Sequence, residues 1–213
     1  MLKVHEIFDS IQGEGSHMGK QMTFVRLHGC NRKCEYCDQP QTEGFVEMTP
    51  KQIFDACSRP YICITGGEPL MQNFPDLEAL YDLCRFGDKL LHYETNGDFD
   101  IGVQSYDEYG KRIYTYLHMD WVACSPKVKH PLELKLRPGR INDLKIIVTA
   151  TTTVGELQEW NDFFYKQYTS LWIQPCNNLT EINSVNLEAC YTALKAFPNW
   201  HLSPQLHKLL HVR

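Results

Sequence analysis

Met22-Thr23-Phe24-Val25-Arg26-Leu27-His28-Gly29-Cys30-Asn31-Arg32-Lys33-Cys34-Glu35-Tyr36-Cys37 joins a short apolar run to a loop with three cysteines in CxxxCxxC spacing. Residues 22–27 read as a strand, and the loop that follows supplies three thiolates within one turn of chain. A four-iron cluster ordinarily takes one cysteine per iron, so a three-cysteine set leaves one iron open to a non-protein ligand. Zinc is the competing reading, since Cys30, Cys34 and Cys37 with His28 make a Cys3His set suited to a tetrahedral ion. Zinc ribbons, however, pair two separated CxxC knuckles, and the sequence has no second one.

Working outward, residues 61–65 form a second β-branched run that ends in Thr65-Gly66-Gly67-Glu68-Pro69, a buried strand opening onto a tight loop. Paired glycines let backbone amides and carbonyls approach a small polar ligand closely. Thr49-Pro50 supplies a cap and first-turn pair for a helix over 50–58 between these two strands, which gives βαβ order. Helical spacing of Leu77, Leu80, Tyr81 and Cys84 predicts a helix over 77–86, and strands are predicted over 90–94 and 121–125. A strand over 144–148, a helix over 154–167, a strand over 171–174 and a helix over 186–197 complete the alternation. Polar residues gather where the strands end. Parallel α/β folds place ligands at that edge, so Cys30, Gly66, Glu94, Ser125 and Gln174 are expected to converge.

With 213 residues and 43% of them hydrophobic, the chain fits one domain with a sizeable core. Residues 98–116, rich in glycine, charge and tyrosine, interrupt the alternation and read as a surface excursion. The net charge of −5 comes from 21 basic and 26 acidic residues, and the absence of a basic run argues against nucleic acid as a partner. The start of the chain lacks the basic and apolar regions of a signal peptide, and no stretch of about 20 apolar residues could span a membrane. A cytoplasmic protein is expected. An odd count of nine cysteines without paired spacing argues against a disulfide framework; Cys57, Cys63, Cys84, Cys124, Cys176 and Cys190 read as small buried hydrophobes.

CxxxCxxC after one strand and Gly66-Gly67-Glu68-Pro69 after the next resemble the radical S-adenosylmethionine superfamily. The resemblance implies a compact partial (β/α)6 barrel with reduced helices. It also implies a [4Fe-4S] cluster on Cys30, Cys34 and Cys37, whose open iron chelates the amino and carboxylate groups of S-adenosylmethionine; reductive cleavage then yields a hydrogen-abstracting 5′-deoxyadenosyl radical. Further stretches, Gln12-Gly13-Glu14-Gly15, Glu94-Thr95-Asn96-Gly97, Ser125-Pro126-Lys127 and Gln205-Leu206-His207-Lys208, are similar to the carbon-nitrogen lyases of that superfamily that contract a pterin to a 7-deazapurine.

That similarity implies roles residue by residue. Asp38, Gly66, Gly67, Glu68, Asn96, Ser125, Lys127 and Gln174 would bind S-adenosylmethionine. Gln12, Gly13, Glu14, Gly15, Arg26, Thr65, His207 and Arg213 would bind 6-carboxy-5,6,7,8-tetrahydropterin, with Arg26 clamping its carboxylate, and a C-terminal tail over 204–213 would close the site. Family members follow the third cysteine with Asp-Thr, the threonine helping to hold Mg2+, whereas this chain reads Cys37-Asp38-Gln39. Either Gln39 ligates the ion from a shifted position or its amide nitrogen replaces the cation as a donor to substrate; weak or absent stimulation by magnesium is expected. A flavodoxin or ferredoxin as electron donor and a homodimer are also implied. A glycyl-radical-enzyme activase shares the cluster and cofactor, but Gln12, Glu14, Arg26 and His207 suit a polar pocket better than a peptide groove.

Overall fold

The structure is a computed structural model and describes residues 1–37, 44–106, 109, 112–165, 167–177 and 181–212. In chain order it contains β1 (Leu2–Ile11), β2 (Gln21–Leu27), β3 (Val46–Met48), α1 (Pro50–Ala56), β4 (Tyr61–Gly66), α2 (Phe74–Phe86) and β5 (Leu90–Thr95). The hairpin strands β6 (Gly102–Tyr106) and β7 (Arg112–Tyr116) follow, then β8 (Trp121–Cys124), β9 (Asp143–Val148), α3 (Val154–Phe164), β10 (Ser170–Pro175), α4 (Ser184–Ala196), β11 (His201–Leu202) and α5 (Leu206–Leu209).

Nine strands share one sheet in the order β11-β10-β9-β8-β5-β4-β2-β1-β3. The run from β2 to β10 is parallel throughout and supplies the six strands of the partial barrel. Among the described residues two crossovers contain no α-helix: strands β6 and β7 lie between β5 and β8, and 3-10 turns lie between β8 and β9. Within the excursion over 98–116, β6 and β7 pair as a two-stranded antiparallel sheet of their own. The sequence reading did not anticipate β1, an antiparallel neighbour of β2, nor the short edge strands β3 and β11. Several predicted bounds move by a few residues; α2, for example, begins at Phe74 because Asn73 caps it by accepting the Asp76 amide proton at 3.1 Å.

Strand alternation sorts the sheet into two unlike faces. Val25, Leu27, Ile62, Ile64, Leu91, Tyr93, Val122, Leu144 and Ile173 pack outward against Ile53, Leu77, Leu80, Leu157, Trp160, Phe164 and Ala193 from the helices, in one continuous apolar core. Each fully buried leucine or isoleucine there contributes about 1.5–3 kcal/mol. The inward face is polar. Its residues include Cys63, Thr65, His92, Glu94, Asp143, Lys145 and Gln174, and among these Cys63, His92, Asp143, Lys145 and Gln174 are buried.

A barrel interior of this kind needs polar partners, and the loop between β1 and β2 provides them. Its 3-10 turn, Gly15–His17, plugs the N-terminal end of the barrel beneath the strands. Asp143 accepts hydrogen bonds from the Ser16 amide (3.0 Å), the Ser16 hydroxyl (2.5 Å) and the indole N–H groups of Trp121 and Trp172 (3.0 Å each). Gly15 has φ +63°, and a Cβ there would lie 2.8 Å from an Asp143 carboxylate oxygen, so glycine permits both the turn and the close approach. The His17 ring packs on Trp121 at 4.4 Å and its Nδ1 lies 2.9 Å from His92 Nδ1. Burial holds His92 neutral, down at about 4, so one ring donates its Nδ1 proton to the other.

Candidate functional site

Above this plug, at the C-terminal ends of the strands, lies a cavity of about 740 Å3. Cys30, Cys34 and Cys37 line one wall, the first two half-buried and the third exposed. Their loop is tied down by the segment after β5. Asp98 accepts from Asn31 Nδ2 (2.6 Å), Arg32 Nε (2.5 Å) and Arg32 Nη2 (2.8 Å), and Asn96 Nδ2 donates to Asn31 Oδ1 at 2.8 Å. Hydrogen bonding from Arg32 holds the Asp98 carboxyl below its ordinary range. The bidentate fork fixes both partners more firmly than a single contact would.

Gly66 and Gly67 line the same cavity. Gly66 has φ +115°, and an added Cβ would lie 2.3 Å from the Leu27 carbonyl oxygen, so the turn accepts glycine alone. Gly67 N donates to Leu27 O at 3.0 Å and Glu68 N to Gly29 O at 2.8 Å, which stitches the glycine turn to the cysteine loop. Glu68 is engaged within the protein. Its side chain is fully buried, does not line the cavity, and accepts from Leu70 N (3.0 Å), Thr95 Oγ1 (2.7 Å) and Asn96 N (2.7 Å). Glu68 therefore shapes the strand-end loops, and burial raises its carboxyl above the usual range.

The cavity floor is a charged network. Glu14 forms an ion pair with the buried Lys145 ammonium, while its Oε1 accepts from Gln174 Nε2 (3.2 Å) and Gln205 Nε2 (2.8 Å). Glu94 accepts from Gln12 Nε2 at 3.0 Å and from Thr65 Oγ1 at 2.7 Å. Burial pushes both carboxyls up, but Lys145 together with the donors to each carboxylate outweighs it and both lie below their ordinary range; the two carboxylates in turn hold Lys145 up. Phe8 and Phe24 stack at 5.3 Å beside the floor, and the Arg26 guanidinium lies over Phe8 at 5.3 Å. Arg26 Nε is 3.0 Å from Glu6 Oε1 without hydrogen-bond alignment.

Most residues implied by the resemblance meet at this cavity: Gln12, Gly13, Glu14, Arg26, Thr65, Gly66, Gly67, Asn96, Ser125, Lys127, Gln174 and His207 all line it. Lys127 is half-buried, not a surface lysine; its Nζ donates to Ser125 Oγ at 2.8 Å, and burial lowers it. Gly13 leaves room for the C-terminal turn, because a Cβ there would lie 2.1 Å from His207 Nδ1. Gly15 does not line the cavity and serves the plug instead. Asp38, Gln39 and Arg213 lie outside the described residues. Cys63, His92 and Glu94 bring donor atoms within 4.8 Å of one another below the floor, but a thiol and an imidazole are not the oxygen donors that magnesium takes.

Residues 24–150 match the Radical SAM superfamily. The 7-carboxy-7-deazaguanine synthase of Bacteroides thetaiotaomicron is 31% identical over the full length of both chains. That of Thermoplasma acidophilum is 32% identical, covering 98% of this chain and 96% of its own. The chain belongs to the 7-carboxy-7-deazaguanine synthase family of radical SAM enzymes. The crystal structure of QueE from Escherichia coli superposes with a TM-score of 0.69 over 97% of this chain and 94% of that one, at 21% identity, and so shares the fold.

For a radical SAM enzyme the donor set fits. Three thiols within one tethered loop face a cavity whose far wall is polar, and Gly66 brings bare backbone to the same opening. Lys145 belongs to the site although the sequence reading did not name it, and Glu94 and Gln205, which it placed at the converging strand ends and in a family-like stretch without a binding role, belong to it as well. Lys145 had a signal: a lysine in the middle of the apolar run Leu144-Lys145-Ile146-Ile147-Val148 is out of place unless it faces a polar interior. Gln205 stood in the stretch Gln205-Leu206-His207-Lys208, but its contact with Glu14 depends on a left-handed backbone, φ +56°, at the start of the last turn.

Proposed function

We propose that this enzyme converts 6-carboxy-5,6,7,8-tetrahydropterin to 7-carboxy-7-deazaguanine and ammonia, in 7-deazapurine and queuosine biosynthesis. The observation that carries the reading is the single cavity with a cysteine loop on one wall and the Gln12, Glu14, Lys145, Glu94 network as its floor. The reaction balances without external oxidant, because one ring nitrogen leaves as ammonia while the remaining atoms are retained.

Cys30, Cys34 and Cys37 would hold the [4Fe-4S] cluster, and Gly66, Gly67, Asn96, Ser125, Lys127 and Gln174 would surround S-adenosylmethionine. When bound, cluster and cofactor supply the hydrogen-abstracting radical chemistry. The chain's own residues bind and orient. Arg26 at the rim offers a guanidinium to the substrate carboxylate. Glu14, Glu94 and Gln12 offer acceptors and a donor to the nitrogen-rich edge of the ring, and His207 closes from the C-terminal turn. The Phe8–Phe24 pair gives the flat ring an apolar face and excludes water.

A flavodoxin or ferredoxin as electron donor, a homodimeric assembly and a cytoplasmic location belong to the same proposal. All nine cysteines are unbridged, as suits a reducing compartment, and among the described residues no helix is long and apolar enough to cross a membrane. With glutamine at position 39, magnesium is expected to stimulate weakly or not at all; a large rate increase on adding it to metal-stripped, cluster-replete protein would overturn that.

The test is an anaerobic reaction of reconstituted protein with dithionite, S-adenosylmethionine and the pterin, followed by mass spectrometry, with Cys34→Ala as control. Deazapurine that disappears in the control supports the reading. Cofactor cleavage without deazapurine overturns the substrate, and an intact cluster that supports neither overturns the catalytic assignment.

A further inference from the structure

We propose that Lys145 is a positioning residue of the substrate pocket: seated beneath Glu14 and Glu94, its ammonium holds both side chains as aimed anions, so the floor selects ligands that present an edge of N–H donors. The inference rests on the pterin reading above and adds to it the residue that governs how the floor recognises its ligand.

Lys145 is 4% exposed, and it stands on the inward face of β9 two residues beyond the anchored Asp143. Its Nζ bonds Glu14 Oε2, and its charge acts on Glu94 as well. Two carboxylates and one ammonium leave a surplus negative charge in a buried site. Without the cation, desolvation would force a proton onto one of the acids and convert an acceptor into a donor. The other groups facing this centre do not replace it. Cys63 on β4 is buried and held as a thiol, His92 on β5 is held neutral, and Asp143 on β9 is engaged by Ser16 and two indoles. Arg26 on β2 lies over Phe8 beside Glu6, Lys127 after β8 is bonded to Ser125, and His207 approaches from the C-terminal turn at Gly13.

Neutral donors fix the geometry, and Lys145 supplies the largest share of what keeps it anionic. Gln174 and Gln205 clamp one oxygen of Glu14, whereas Gln12 and Thr65 each bond a different oxygen of Glu94. These neutral donors favour the anions as well, but none of them carries the full positive charge that Lys145 places against the two acids. A protonated floor would meet the amino and ring N–H groups of a pterin donor to donor.

The experiment uses cluster-reconstituted Lys145→Met and Lys145→Gln proteins. Iron and sulfide content is expected to match wild type, because the bonding partner of Lys145 is Glu14 on the cavity floor and not the cysteine loop. KM for the pterin should rise roughly 10- to 100-fold, the worth of a charge-assisted hydrogen bond, with kcat changed less. That KM should climb further as pH falls from 8 to 6 in the variants and stay flat in wild type. In a Glu14→Gln background, Lys145→Met should cost several-fold less than in wild type, since the partner it acts through is gone. Two Lys145 variants with wild-type KM and pH profile, an equal cost in both backgrounds, or a wild-type KM that itself titrates between pH 6 and 8 would overturn the proposal. Wild-type protein that converts no pterin overturns both this inference and the reading beneath it, whereas active wild type with indifferent variants overturns this one alone.

Discussion

Asp143→Ala should destabilise the protein through the plug of the barrel. The side chain is fully buried and accepts four hydrogen bonds, from Ser16 N, Ser16 Oγ, Trp121 Nε1 and Trp172 Nε1. The Ser16 hydroxyl can rotate to another acceptor, but the amide and the two indoles cannot, so three fixed donors are stranded. Each stranded donor costs about 1–3 kcal/mol, partly offset by removal of a buried anion and by water entering the gap, which leaves a net loss of about 3–5 kcal/mol. For a chain of this size about 1 kcal/mol corresponds to roughly 2–4 °C, so the midpoint should fall by about 10 °C. Asp143→Asn keeps one acceptor oxygen and should lose about half as much. Anaerobic thermal unfolding followed by tryptophan fluorescence is a suitable assay, because Trp121 and Trp172 report on the plug while Trp160 and Trp200 report on the helical side. A fall below about 3 °C with unchanged emission would refute the argument.

Glu68→Gln should cost about 2–3 kcal/mol, since an amide NH2 would face either the Asn96 amide or the donors Leu70 N and Thr95 Oγ1; urea midpoints measure it, and wild-type stability with weakened cofactor binding would instead make Glu68 a ligand. Asp98→Ala removes the acceptor that Asn31 and Arg32 share, so iron should pass to a chelator several-fold faster while the core strands keep their stability; equal release rates would show that the tether is dispensable. The Glu14 carboxyl lies below its ordinary value of 4.5 when folded, so its contribution is complete above that pH and is lost as pH falls through the folded value. Wild type should therefore lose more stability between pH 5 and pH 3 than Glu14→Gln does, and parallel pH profiles of the urea midpoint would contradict this.

Local chemistry made part of this protein legible from its sequence. Three cysteines in one loop, a strand ending in paired glycines and the alternation of apolar runs give the partial barrel and its cluster loop, because each depends on residues close together in the chain. A lysine inside the β9 run pointed to a polar interior, although its partner could not be read: Glu14 lies 131 residues away. Strand β1 escaped notice because its residues are mostly half-buried, which blurs the two-residue period that marks a strand. Glu68 looked like a ligand by its place after Gly66-Gly67, and only the fold shows both of its oxygens occupied by β5 and the turn after β4. The plug under Asp143 and the floor of Glu14, Glu94 and Lys145 are tertiary decisions. They arise from side chains of separate strands and of the loop after β1, brought together where desolvation makes every polar group find a partner.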